Sequence, residues 1–110
     1  MFSLRNGAGL AGVKGSDMAR ETTHPGQVLR MEFMLPPGLS ARALGSAIGV
    51  PGNRISDIAR RRRDVSADTA MRLAHYFNTT PRFWLNLQAA HDVSRAEIAF
   101  DYSAIAPRAA

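Results

Sequence analysis

Proline and glycine cut this chain into pieces too short for anything but a set of small helices. From Pro25 to Phe100 apolar residues recur at three- and four-residue steps, and the period is broken at Pro36-Pro37-Gly38, at Gly49-Val50-Pro51 and at Thr80-Pro81. Proline has no amide hydrogen and clashes with the preceding turn, so in a helical pattern it marks a first position or a stop. The spacing predicts a first helix over Pro25 to Leu35, with Val28, Leu29, Phe33 and Leu35 on its apolar side. Ser40 caps a second helix, "ARALGSAIG", whose inner face is Leu44, Ala47 and Ile48. Pro51 opens a third, "PGNRISDIAR", which buries Ile55 and Ile58. Arg60 to Asp64 interrupts the period and reads as a loop. Ser66 caps a fourth, "ADTAMRLAHYF", with Ala70, Leu73, Ala74 and Phe77 in register, and Asp68 complements its macrodipole. Thr80 caps a fifth, from Arg82 to about Phe100.

No run alternates with the period of a strand, and no Asn-Gly or Asp-Gly turn suggests a hairpin. The expectation is an all-α domain of five helices over residues 24–100. It is preceded by a flexible arm (1–23) rich in Gly, Ser and Thr and followed by a frayed tail (101–110). Met18 begins "MARETTHPGQ", a plausible second start, so the first 17 residues are left out of the predicted fold.

With 110 residues, 45% of them hydrophobic, the chain can bury one small core. The absence of cysteine excludes disulfides and thiolate chemistry. Apolar runs are too short to span a bilayer, and no apolar stretch follows a basic N-terminal cluster, so the cytoplasm is the expected compartment. The net charge of +5 is concentrated: Arg54 and Arg60 to Arg63, against Asp57 and Asp64, give residues 51–66 a net +3. A local basic patch on an otherwise balanced domain is the footprint expected of a nucleic-acid contact.

Residues 40–60 sharpen that expectation. Two short helices meet through a Gly-Val turn, and Gly45 and Gly49 offer room for the backbones to approach, as a helix-turn-helix requires. With Ile55 and Ile58 turned inward, the third helix leaves Asn53, Arg54, Ser56, Asp57 and Arg60 near its outer face. Asparagine suits adenine, arginine guanine, serine either, and aspartate the cytosine amino group. Ser40 and Arg42, at the start of the second helix, complete the candidate DNA-binding set with Arg61, Arg62 and Arg63 in the loop.

The stretch from "HPGQVLRMEF" to "FWLNLQAAHDV" resembles the HigA-type antitoxins, a branch of the Xre/Cro-like helix-turn-helix proteins, over about residues 24–95. The carrying pieces are "HPG", "NRIS", "ADTAMRLA" and above all "FWLNLQAAHD". The resemblance implies a lambda-repressor-like DNA-binding domain in a homodimeric antitoxin. Such a protein represses its own operon and neutralises a HigB-type ribosome-dependent mRNA endonuclease. Asn53, Arg54, Ser56 and Asp57 match the family's recognition-helix positions, and Arg62 and Arg63 its basic loop. Three departures stand out: Pro51-Gly52 replaces a more polar helix start, Arg60-Arg61 replaces the usual capping Asn-Gly, and Gly45 stands where alanine is common.

Phe83, Trp84 and Leu87 at helical spacing read mainly as core. Together with His91 they form the candidate dimer seam, since large apolar patches seldom stay open on a monomer. His24, His75 and His91 fall in different elements with no His-x-x-x-His pair, so no metal site is expected. No nucleophile elbow or phosphate-cradling glycine loop suggests an enzyme, and no cofactor is expected. A stand-alone Xre-type regulator without a toxin, and a protein- or RNA-binding domain, are the competing readings.

Overall fold

The computed structural model describes residues 21–109. The arm expected over residues 1–20 lies outside the described residues. Five helices follow one another, and the described residues contain no strand. We number them α1 (Pro25–Val28, continued by a π-helical turn Leu29–Met34), α2 (Ala41–Ile48), α3 (Gly52–Ala59), α4 (Ala67–Phe77) and α5 (Pro81–Ala99). A single 3-10 turn, Tyr102–Ala104, lies beyond them with every neighbour exposed.

Four of the five starts use the polar side chain the sequence offers. Ser40, Ser66 and Thr80 accept the amides of Ala43, Thr69 and Phe83, three residues on. His24 takes that role for α1, its ring Nδ1 accepting the Gly26 amide at 2.8 Å. Pro51 sits one place earlier than expected, just before the first turn of α3.

The ends of α1 to α4 share one arrangement. Among the described residues four have positive φ, Gly38, Gly49, Arg61 and Asn78, and each follows a helix or lies in the turn that ends one. At all four, the next residue's amide reaches back to a carbonyl five residues earlier: Leu39 to Met34, Val50 to Gly45, Arg62 to Asp57 and Thr79 to Ala74, at 2.8–3.0 Å. That is the Schellman arrangement, which uses up carbonyls a helix end would leave bare.

Leu29, Leu44, Ile55, Ile58, Ala70, Leu73 and Trp84 are fully enclosed and form the centre of the core. Phe33 joins the layers: its ring centroid lies 4.9 Å from that of Phe77 on α4 and 5.1 Å from Trp84 on α5. One expectation is corrected here. Leu35 is 55% exposed, and Met34 takes the inward place instead. The π-helical turn, marked by the Leu35 amide donating to the Arg30 carbonyl at 2.9 Å, adds a residue to the ring and rotates the apolar face by one position.

The end of the predicted arm is also corrected. The Thr22 amide donates to Ser94 Oγ (3.0 Å), and the Thr22 carbonyl accepts from His91 Nδ1 (2.7 Å). Thr22 is therefore tied to α5 rather than loose.

Candidate nucleic-acid interface

The helix-turn-helix is built on sterics. A Cβ on Gly45 would stand 2.7 Å from the Val50 carbonyl oxygen and 3.1 Å from the Gly52 backbone. One on Gly52 would meet the Arg42 Cα at 3.1 Å. Gly45 and Gly52 therefore make the close crossing of α2 and α3. Gly49 has another job: its left-handed φ of 77° ends α2, and a Cβ there would touch only the Arg72 side chain. The sequence reading assigned the second spacer to Gly49; it belongs to Gly52. A Cβ at 52 would crowd the backbone of Arg42, which must then give by a few tenths of an ångström.

This crossing brings the start of α2 beside the start of α3. Ser40 and Arg42 are exposed there, Ser40 with its oxygen engaged by the Ala43 amide at 3.0 Å. Asn53 is exposed, and Ser56 and Asp57 are half-buried. Among the described residues no hydrogen bond engages the side chains of Arg42, Asn53, Ser56 or Asp57. Ile55 and Ile58 point inward, as their spacing predicts.

Arg54 is different. Its side chain is 29% exposed, its Nε is buried without a hydrogen-bond partner, and Nη1 lies 3.9 Å from Asp68 Oδ2. The same carboxylate oxygen accepts from Arg72 Nε at 2.9 Å. Arg72 Nη1 donates to the Ile48 carbonyl at 2.7 Å. Sequence reasoning passed over Arg72; the only signal was its i,i+4 spacing from Asp68.

At the other end of α3, Arg60 to Arg63 are all exposed and project from a turn fixed on both sides. Arg61 holds the left-handed conformation (φ 63°), its amide donating to the Ile58 carbonyl at 2.9 Å. After the loop, the buried Val65 amide donates to Gln88 Oε1 at 2.8 Å, and Gln88 Nε2 is held by Asp92 at 3.0 Å. The helix thus ends at Ala59, and none of the four arginines adds a regular turn to it.

The "FWLNLQAAHD" segment is occupied largely inside the chain. Trp84 is fully buried, with Nε1 donating to Thr79 Oγ1 at 2.9 Å. Gln88 holds the basic loop and His91 the lead-in to α1. This corrects the expected dimer seam: Trp84 and His91 have no surface to offer, and only Phe83 and Leu87 are partly open. Those two line an open, mainly apolar groove of about 830 Å³ with Met31 and Ala90. His24 and His91 stack edge to face, 4.9 Å between ring centroids. Burial and then the charge of His91 push the His24 pKa down, against the pull of Asp64. Among the described residues no group of three or more His, Cys, Asp or Glu side chains is placed to hold a metal ion.

A helix-turn-helix family profile matches residues 31–84, which span α2, α3 and α4 entirely. The chain is 49% identical over 74 residues to virulence-associated protein I of Dichelobacter nodosus, covering 67% of this chain and 68% of that one. Its fold is similar to that of the Pseudomonas aeruginosa antitoxin HigA solved with the higBA promoter: TM-score 0.69, 42% identity, 70% of this chain and 84% of the other. The chain belongs to the HigA-type branch of the helix-turn-helix family. Antitoxin GraA in complex with its operator is a further neighbour, with TM-score 0.72, 41% identity, and 83% and 95% of the two chains covered. In this HigA-type chain no described helix is long and apolar enough to cross a membrane.

Proposed function

We propose that this chain is a sequence-specific DNA-binding antitoxin of a HigBA-like module, acting in the cytoplasm. It represses its own operon and neutralises a HigB-type mRNA endonuclease. The observation that carries the reading is the uncommitted polar face of α3. Asn53, Ser56 and Asp57 carry hydrogen-bonding groups with no partner among the described residues, bounded by Arg42 at one end and Arg60 to Arg63 at the other. Such an array costs nothing in the folded chain only if it stays wet, and it is rewarded in full when base edges and phosphates replace the water.

Within this proposal the residues divide. Asn53, Arg54, Ser56 and Asp57 read bases. Arg42 and Ser40 meet the backbone near the start of the recognition helix, and Arg60 to Arg63 grip phosphates. A homodimer places two copies of α3 about one duplex turn apart. Phe83 and Leu87, with the exposed Val93 and Ile98 further along α5, are the apolar surface that such a dimer would cover.

The test is a gel shift on DNA upstream of the chain's own coding sequence, together with co-purification of the neighbouring gene product. Preferential binding to that DNA and capture of a small basic nuclease are expected. Equal binding to random DNA would remove the operator assignment. Operator binding without any captured nuclease would leave a stand-alone regulator.

A further inference from the structure

We infer that Asp68 and Arg72, outside the recognition helix, position Arg54 and so help set which base it reads. This inference rests on the DNA-binding reading above. Asp68 lies in the first turn of α4 and is 61% exposed, where a carboxylate facing DNA is unfavourable on charge alone. Yet its Oδ2 is shared by two guanidinium groups, Arg72 Nε at 2.9 Å and Arg54 Nη1 at 3.9 Å. Arg72 is in turn anchored to the end of α2, with Nη1 2.7 Å from the Ile48 carbonyl oxygen and 3.5 Å from that of Gly49. A continuous path therefore runs from the turn of the motif through Arg72 and Asp68 to the tip of Arg54.

Arg54 needs such a support. Its stem is packed so that Nε is buried without a partner, which leaves the terminal nitrogens to do the recognition. A free arginine gives up rotamer entropy when it settles on a base. A carboxylate at its side removes part of that loss in advance and fixes the plane of the fork, which is what bidentate contact with guanine demands. As an exposed ion pair the contact adds little to folding, so its use lies in orientation.

The test compares binding of labelled operator duplex and random duplex across a salt series, for the wild-type chain, Asp68→Asn, Asp68→Glu, Arg54→Ala and Arg54→Ala/Asp68→Asn. Asp68→Asn is expected to lower the operator-to-random ratio about tenfold, while random-DNA binding holds or strengthens because a negative charge has gone. Asp68→Glu should recover part of the ratio, and in the Arg54→Ala background Asp68→Asn should change it less than twofold. A ratio unaltered by Asp68→Asn, or a loss that persists without Arg54, overturns the inference. A wild-type chain with no operator preference overturns the DNA-binding reading as well, which separates the two failures.

Discussion

Arg61 occupies a backbone conformation that the other helix ends give to glycine or asparagine. Gly38, Gly49 and Asn78 take the left-handed region easily, whereas an arginine there holds about 1–2 kcal/mol of strain. Arg61→Gly should therefore raise unfolding stability by about 0.5–1 kcal/mol after the extra chain entropy of glycine is set against it. The same change should reduce the log–log salt slope of DNA binding by roughly 0.9 if Arg61 meets a phosphate. Denaturant melts and a salt titration check the two halves separately. That strain could be anticipated from Arg60-Arg61 standing in place of Asn-Gly, but the φ angle itself could not. His24 supplies a second prediction at this scale. Its pKa is depressed in the folded chain, so the folded state binds fewer protons than the unfolded one. Stability is then complete above the ordinary histidine value of about 6.5 and declines as pH falls below it toward the folded value. His24→Asn keeps an acceptor for the Gly26 amide and has nothing to titrate. The variant should lose less stability than the wild type between pH 7.5 and pH 5.5 in urea unfolding.

Among the elements, α1 and α5 carry the least obvious work. A Cβ on Gly26 would overlap the Ile58 carbonyl, so the first turn of α1 lies backbone-to-backbone on the end of the recognition helix. Gly26→Ala must push the two apart, and a loss of about 1–3 kcal/mol in stability is expected, with weaker operator binding as α3 shifts. Unchanged melting would show that α1 moves aside without cost. Trp84→Ala should cost about 3–5 kcal/mol, since the indole is fully enclosed and bonded to Thr79; a near-neutral melt would contradict that burial. The helices themselves were legible because caps, prolines and apolar period agree, and all five begin and end within about one residue of their expected bounds. The turn of α1 was not, because a π-helical insertion depends on how Leu29, Phe33 and Met34 fit against α4 and α5, which no period in the chain records. The same holds for Gln88: glutamine on a helix looks like surface until the facing Val65 amide is known.

For the molecule as a whole, the proposed DNA-binding reading lays two functions at opposite ends of one short helix. The basic end is legible from charge alone, and the polar face of α3 follows from the inward spacing of Ile55 and Ile58. The partner carboxylate of Arg54 is not legible, because Asp68 and Arg54 are brought together only by the packing of α4 across the motif. Replacing Arg61, Arg62 and Arg63 together by alanine should weaken operator and random DNA alike and lower the salt slope by up to about 2.7. Arg54→Ala should instead cost about 1–3 kcal/mol on the operator alone. Titrations of both duplexes at several salt concentrations distinguish these patterns, and equal losses for the two variants would erase the division of labour.

The loop that bears those arginines is moored at both ends, by the left-handed turn at Arg61 and by Gln88 behind Val65. Arg60, Arg62 and Arg63 are exposed there and can be exchanged without disturbing the core. Under the proposed DNA-binding reading, changes in that loop alter the grip on DNA in small steps while the choice of site stays where it was. The reading face can equally be rewritten while that grip is kept.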